Sequence, residues 1–495
     1  MKYLQRLWND RDHPTFTDVS SLIFLLITFG TIAFIFRGWD QPFIQDRTLH
    51  IYSAQEIARG RIPYVDFFNI HPPAGIMLIA IPMWIFPGLR TGTGPAIVHS
   101  GLTIIWSSIS LIAIYYVAKR LRNNWITGLI AGFIWIGLTP LFLRHFSVGQ
   151  NRLLVVTSLL LTTVFLQQKK FYWAGFSLAV GFMTYYPTIL GIAAVFTTLL
   201  FLPKREGFHG FFTFCGGFLT VTAVILLWLV WRGALIPWFN TTLLWPFVSL
   251  SGSTNHQIDN ISFFGNFPKF FQTMQKGYQF HDVNVSWIPL LGGIAFIHYI
   301  ISILIQKEKR FSQLLEPKSS PVLVMTIMYL LYFGVESGLL DTFMLQSFIA
   351  IWVAWEIASV LEIVYPVSNW QYRIGVLIIA LVFGSLNIRL IKAYQEVYNT
   401  GLHPRWKSFI LDEERSIHTQ VAAGQTFLHF VPPEKKIIVL GDMWFNIVND
   451  RENPTLIYHM GQKMQLSAHL AGVIPPEIDL YQYIANQEPE IYWRT

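Results

Sequence analysis

The chain has 495 residues, of which 53% are hydrophobic and only 13% are charged. A soluble domain carries about 25% charged residues, and a water-soluble chain of this length would need more polar surface to cover its core. The net charge of +7 comes mainly from basic residues at the ends of apolar runs, so it does not indicate nucleic-acid binding. The long uncharged runs predict an all-α polytopic membrane protein.

Most membrane spans are marked by apolar runs near the length of about 20 residues that a bilayer requires. They are 19–36, 96–118, 125–143, 152–166, 210–231, 286–306, 321–335, 342–363 and 374–391. The run 171–203 differs, because its 33 uncharged residues would form a helix of about 50 Å with basic residues beyond both ends. Basic residues favour the cytoplasmic side. This run is therefore predicted to be a hairpin of two short helices broken at Tyr186-Pro187, which brings the total to about eleven transmembrane helices.

The distribution of basic residues predicts a cytoplasmic N-terminus. In that orientation the inner segments contain 15 Lys and Arg in 53 residues, and the outer loops contain 9 in 127, as the positive-inside rule requires. The short apolar stretch 74–87 is then an interfacial or half-inserted helix. We expect a multi-pass protein of the cell (inner or plasma) membrane with a transmembrane domain over 1–391. Its large outer loops are 37–95 and 232–285, and its tail, 392–495, lies outside.

The tail is predicted to be a small soluble α/β domain. A helix suits 412–430, strands suit 435–441 and 454–460, and a last helix lies near 479–486. No Gly-rich dinucleotide motif follows the first strand, and 12 acidic against 9 basic residues argue against a nucleic-acid surface. Because loops on a rigid scaffold tend to carry function, we expect the chemistry on the outer face.

The first outer loop contains the main candidate for a catalytic residue. Asp46 stands at the start of a short predicted helix, Thr48 to Arg59, and Gly60 follows in the position that glycine favours after a helix. A helix N-terminus stabilises an ionised carboxylate, and such a carboxylate can act as a general base on a hydroxyl. On local pattern alone, Asp46 also fits a simple N-terminal cap.

This loop resembles the C-type membrane glycosyltransferases (the GT-C fold), in particular bacterial relatives of protein O-mannosyltransferases and the aminoarabinose transferase of lipid A. The resemblance consists of an acidic residue after the first span, an A-x-x-I-x-x-G-x-x-P-Y-x-D stretch and an H-P-P sequence. The matching residues are Asp46, Ala54, Ile57, Gly60, Pro63, Tyr64, Asp66, His71, Pro72 and Pro73. The predicted hairpin and outer tail extend the resemblance over nearly the whole chain.

The resemblance implies a polyprenyl-phosphate-linked sugar as donor and a catalytic aspartate in the first outer loop, a role that falls on Asp46. The implied acceptor is a hydroxyl or amine of a glycan, lipid or protein, and the implied transfer is inverting. Three departures from the family pattern stand out. Asp46 is followed by Arg47 where the family commonly has Glu, the loop 144–151 lacks an acid found in relatives, and Tyr185-Tyr186 replaces a frequent Lys at the hairpin tip.

Several outer-side residues are candidates for substrate binding. Negative charge grows on the lipid phosphate as the glycosidic bond breaks, and fixed cationic donors stabilise it. The candidates are Arg47, Asp66, His71, Arg144, His145, Arg152, Tyr185 and Tyr186. The alternatives are that the basic residues contact lipid headgroups, that the tyrosines only pack, and that His71 before Pro72 only shapes a turn.

Membrane lipids are a further expected partner. The pattern implies no particular cofactor. Whether Asp46 and His71 hold a divalent cation stays open, although no spacing resembles a metal motif. Two other functions also stay open. A transporter or flippase usually has paired repeats and polar residues near the middle of its spans, whereas here the polar residues gather on one side. A scaffold that recruits partners through its tail would leave the loop pattern around Asp46 unexplained.

Overall fold

A computed structural model gives the structure of the chain in separate ranges. The described residues are 15–36, 39, 45–67, 69–137, 150–244, 279–280, 283–284, 287–305, 316–333, 343–364, 374–375, 378, 382, 417–429, 437–440, 443–452 and 491–494.

Ten helices of the described chain coincide with predicted spans. They are α1 (Phe16–Phe36), α4 (Gly94–Arg122), α5 (Trp125–Gly137), α6 (Gln150–Gln167), α7 (Phe171–Phe182), α8 (Ile189–Leu200), α9 (Lys204–Trp231), α11 (Trp287–Ile305), α12 (Ser320–Phe333) and α13 (Phe343–Val364). The stretches Phe16–Phe34, Gly94–Arg122, Lys204–Trp231 and Met344–Ile363 are long and apolar enough to cross a membrane. The all-α membrane architecture is therefore confirmed. The count of eleven stays a prediction, because the segment 374–391 lies largely outside the described residues.

The segment 171–203 forms the predicted hairpin. Helices α7 and α8 are separated by a 3-10 turn at Tyr186–Thr188. The two ends of the hairpin lie on the same side, since the Nζ atom of Lys169 is 2.7 Å from a carboxylate oxygen of Glu206. Helix α7 also packs very closely on α9, because a Cβ atom at Gly175 would lie 2.0 Å from the carbonyl oxygen of Phe214. Small residues allow this approach of two backbones in a membrane.

Buried side chains join the membrane helices into one core. The buried Trp135 of α5 and Trp352 of α13 both belong to it. A hydrogen bond of 2.8 Å between the hydroxyls of Ser110 and Thr157 links α4 to α6. At one end of the bundle, the start of α6 and the turn after α7 meet at Gly75, since a Cβ atom there would lie 2.3 Å from the Oδ1 atom of Asn151 and 2.9 Å from the Cγ2 atom of Thr184.

Two short helices form the described part of the first outer loop, α2 (Gln45–Ala58) and α3 (Ala74–Ile85), and a 3-10 turn follows at Pro87–Arg90. Helix α2 begins three residues before the predicted start. Gly60 has φ +92, the left-handed conformation expected of a glycine that ends a helix. Helix α3 has 12 residues, so it is too short to span, as predicted. Two further helical turns follow α9, namely α10 (Leu235–Trp238) and a π-helix, Phe239–Leu244.

The described part of the tail has two helices and two strands. The elements are α14 (Ile417–Leu428), β3 (Ile437–Leu440), α15 (Trp444–Val448) and β4 (Ile491–Arg494), and the strands pair in parallel with Ile437 opposite Ile491. An antiparallel pair, β1 (Gln279–Phe280) and β2 (Val283–Asn284), lies in the second long loop. Helix α14 and strand β3 fall inside the predicted ranges, whereas 454–460 and 479–486 lie outside the described residues. The α/β domain as a unit stays a prediction.

Candidate active site

Asp46 is the second residue of α2, and its side chain lies outside the described part of the chain. The helix begins directly before it, so Asp46 is in the first turn, where the N-terminal dipole stabilises a carboxylate. His50 stands one helical turn further on, and residues four apart lie on the same face of a helix. The first turn of α2 and the surroundings of His50 therefore define the site.

Arg47 is fully buried beside α4. Its exposed fraction is 0%, and its Nη2 atom lies 3.5 Å from the hydroxyl oxygen of Ser100. Burial lowers the pKa of Arg47 to about 9, so the guanidinium stays charged at neutral pH. The alternative that Arg47 contacts lipid headgroups is therefore wrong, because a fully buried side chain does not reach the membrane surface.

A row of ring contacts connects α2 with the hairpin tip. The rings of His50 and His71 are 5.1 Å apart, and the rings of His71 and Tyr185 are 5.6 Å apart. The guanidinium carbon of Arg152 lies 5.5 Å from the centre of the Tyr185 ring, a cation–π distance. Tyr185 in turn contacts Tyr186 at 4.9 Å. Four of the predicted site residues, His71, Arg152, Tyr185 and Tyr186, are thus neighbours in space.

The turn between α2 and α3 sets the position of His71. Tyr64 has φ +70, which is unusual for a bulky residue, and its hydroxyl donates a 2.5 Å hydrogen bond to the carbonyl oxygen of His71. The carboxylate of Asp66 accepts a 2.7 Å hydrogen bond from the backbone N–H of Ile62. The backbone N–H of Ala74 donates to the carbonyl oxygen of Met183 at 2.8 Å. The P-Y-x-D motif therefore forms a turn that is tied to the hairpin tip.

Sequence reasoning missed three buried polar residues at this junction: His50, His99 and Asn151. The Nδ1 atom of His50 and the side-chain nitrogen of Asn151 are 3.2 Å apart. His99 is fully buried, within electrostatic range of both Arg47 and His50. Among the described residues, the two ring nitrogens of His99 and the Oδ1 atom of Asn151 have no hydrogen-bond partner. The spacing of four residues between Asp46 and His50 was the only signal for any of them in the sequence.

The remaining predictions for the site have mixed outcomes. Arg144 and His145 lie outside the described residues. Asp66 makes the contacts of a turn residue, and its part in substrate binding stays a prediction. No group of three or more potential metal ligands occurs in the described part of the chain, which leaves the question of a cation at Asp46 open.

Comparisons with known proteins show what the sequence and the fold are similar to. A family model for glycosyltransferase family 87 matches residues 70–316, about half of the chain. The structure is similar to ArnT from Cupriavidus metallidurans bound to undecaprenyl phosphate, with a TM-score of 0.52 and 11% identity over 92% of this chain and 88% of that one. This match and the shared fold make the chain similar to the membrane glycosyltransferases of the GT-C fold. The predicted resemblance is thereby confirmed.

A second similar structure is the apo oligosaccharyltransferase of Archaeoglobus fulgidus, with a TM-score of 0.53 and 12% identity over 88% of this chain. The present chain spans only 64% of the length of that oligosaccharyltransferase. No curated protein sequence matches the chain significantly. The family match includes His71, Arg152 and Tyr185 but begins after Asp46 and Arg47.

Proposed function

We propose that this protein transfers a sugar from a polyprenyl-phosphate donor to a hydroxyl or amine of a glycan, lipid or protein acceptor, on the outer face of the cell membrane and with inversion. Asp46 acts as the general base on the acceptor. The acceptor oxygen or nitrogen forms the new bond to the anomeric carbon while the bond to the donor phosphate breaks, and the acceptor proton goes to Asp46. The lipid phosphate leaves with the electron pair.

The observation that carries the proposal is the junction of three separate segments around His71. Helix α2 and the hairpin tip meet there through the ring contacts of His50 and Tyr185 with His71. The start of α6 reaches His50 through Asn151. Arg152 adds a cation at this junction, and Arg47 adds another that is buried. Cations in a site from which water is excluded stabilise negative charge on a leaving group far better than water-exposed ones.

The similar ArnT structure, which binds undecaprenyl phosphate, supports a lipid phosphate as the donor group. The buried polar atoms of His99 and Asn151 supply further hydrogen-bonding capacity, since buried polar groups in proteins are normally paired with protein, water or ligand. We therefore assign Arg47, His71, Arg152 and the tip tyrosines to donor binding.

The arrangement of the tail supports the proposed orientation. Residues 443–450 of the tail contact α2 of the first outer loop, so the two segments share one side of the membrane. This is expected when an odd number of spans separates the N-terminus from the tail. The basic-residue distribution then assigns that shared side to the outside.

The test is the variant Asp46→Asn, assayed for transfer from polyprenyl-phosphate sugars by the purified full-length protein. Asn caps a helix about as well as Asp but has no basicity, and loss of a general base typically lowers the rate by about 10²–10⁴-fold. The matched control is Asp66→Asn, whose carboxylate accepts a backbone hydrogen bond in the turn and whose loss should be milder. Near-parental transfer by Asp46→Asn, with unchanged thermal stability, would reduce Asp46 to a helix cap.

A further inference from the structure

We infer that a docking segment in the tail, residues 443–450, positions α2 for the reaction. Asp450 is its main positioning residue. The inference rests on the function proposed above, because it concerns the helix that carries Asp46 and Arg47. It assigns to the tail a direct part in forming the active site.

The docking segment shares a buried apolar cluster with the first outer loop. Its members from the tail are Met443, Phe445, Ile447 and Val448, each with an exposed fraction of 4% or less. They pack in one cluster with Ile51, Ala54 and Ala58 of α2 and with Ile79 and Met83 of α3. One side of α2 is therefore covered by residues about 390 positions later in the chain.

Hydrogen bonds to backbone carbonyl oxygens fix the position of the docking segment on the first outer loop. The side-chain nitrogen of Gln55 donates to the carbonyl oxygens of Ile447 at 2.9 Å and of Arg90 at 2.6 Å. The backbone N–H of Gly92 donates to the carbonyl oxygen of Val448 at 2.8 Å. Gln55 therefore joins α2, the turn after α3 and the tail in one place.

A set of ion pairs extends this contact to the end of α2. The Oδ1 atom of Asp450 accepts two hydrogen bonds from Arg59, one from Nη2 at 2.5 Å and one from Nε at 3.1 Å. Arg59 also pairs with Glu56, which is fully buried. Burial raises the pKa of Glu56, while Arg59 and Arg61 oppose that rise. Asp450 itself has φ +49, a conformation that Asp tolerates better than most residues, so the backbone here is shaped to present the carboxylate.

The hydrogen bonds and ion pairs of the docking segment are made with Gln55 and Arg59, near the end of α2, whereas the helix start carries Asp46. Helix α2 has 14 residues and is about 21 Å long, so a change of tilt at one end displaces the other end. A displacement of about 1 Å at a reacting group can lower the rate on the order of 10²-fold. The docking segment thus acts on the reaction through the orientation of α2.

The test compares three variants of the full-length protein. Asp450→Gly removes the carboxylate and retains the left-handed backbone that glycine accepts. Asp450→Asn retains one acceptor oxygen for Arg59. The matched control is Glu452→Gln, an acid two residues further on that is 63% exposed and 3.8 Å from Arg61. We expect kcat to fall about 10- to 10²-fold in Asp450→Gly, less in Asp450→Asn, and not at all in Glu452→Gln.

A second readout reports the position of α2 independently of transfer. Ser53 of α2 is fully buried, so a Ser53→Cys thiol, in a background with Cys215→Ser, should resist a maleimide reagent. Labelling should become faster when Asp450→Gly is added, at a temperature well below unfolding, and should not change with Glu452→Gln. If Asp450→Gly does not fold, Gln55→Met removes the hydrogen bond from α2 to Ile447 of the same docking segment and should give the same two results.

The outcomes separate this inference from the proposed function. Faster labelling with a fall in kcat supports both. If Asp450→Gly is labelled faster but the parent protein transfers no sugar from a polyprenyl phosphate, the docking is supported and the proposed function is rejected. Unchanged labelling and unchanged kcat in Asp450→Gly, even with a lower melting temperature, would overturn the inference and leave Asp450 a structural contact.

Discussion

Helix α2 has an arginine near each end, and the two are held differently: Arg47 is fully buried, whereas Arg59, directly after the helix, is 10% exposed. Burial lowers the pKa of Arg47 to about 9, and the hydroxyl of Ser100 lies 3.5 Å from it. Burial also lowers the pKa of Arg59, but the carboxylates of Glu56 and Asp450 outweigh that effect and raise it. The comparison shows one arginine held by two carboxylates and one buried beside a neutral hydroxyl. We proposed donor binding for the second, and the variants below test that difference.

The largest effect is expected from Arg59→Met. Removing one partner of a buried ion pair typically costs about 3–5 kcal/mol, because the remaining charges stay buried without it. The free energy of unfolding should fall by that amount, measured by thermal unfolding of the purified protein. The control is Lys169→Met, which breaks a more exposed pair with Glu206 and should change stability by less than about 1 kcal/mol. Equal effects of the two variants would contradict the prediction.

The next largest effect is expected from Arg47→Met, and it should appear in donor binding. A hydrogen bond to a charged group contributes about 1.5–3 kcal/mol, so the Kd for a polyprenyl phosphate should rise about 10- to 100-fold. Stability should fall less than in Arg59→Met, because burial already disfavours the charged form of Arg47. Lipid binding and thermal unfolding measured on one preparation check both parts. Unchanged Kd with a large loss of stability would show that Arg47 serves the fold, as Arg59 does.

The smallest effect is expected from Tyr64→Phe, which removes the hydrogen bond to the His71 carbonyl and leaves the ring in place. One such bond contributes about 1 kcal/mol, so kcat/KM should fall by about fivefold through a less well-held His71. The control is Tyr172→Phe, whose hydroxyl lies 3.0 Å from that of Thr220 on an exposed surface of α7. A similar loss in both variants would argue against a special role for the turn at Tyr64.

Much of the site was predictable because its residues stand in local patterns. The hairpin followed from the excess length of 171–203 and its basic ends, and the short ion pair between Lys169 and Glu206 confirms it. Arg152 was expected near the donor because it stands at the outer end of a predicted span, and Tyr185 because the tip of the hairpin was expected at membrane depth, as a wall of the donor groove. Their contact depends on the packing of α6 against α7, but their position along the membrane normal follows from the sequence.

The partners of His50 could not be predicted in the same way. Periodicity places His50 on the face of α2 that carries Asp46, but it does not say which segment covers that face. The structure shows His71 and Asn151 there. Likewise, His99 stands at the start of an apolar run, and only the position of α2 against α4 brings it close to Arg47.

The sequence by itself determined that this protein is a polytopic membrane protein, where most of its helices begin and end, and which loop resembles the sugar transferases. These properties depend on hydrophobic length, charge bias and turn chemistry, which act between residues that are near in the chain. Only the tertiary structure decided that Arg47 is buried, that His71 joins α2 to the hairpin tip, and that Asp450 pairs with Arg59. Those contacts join segments up to 391 residues apart, and the packing of whole helices, rather than any local pattern, selects them.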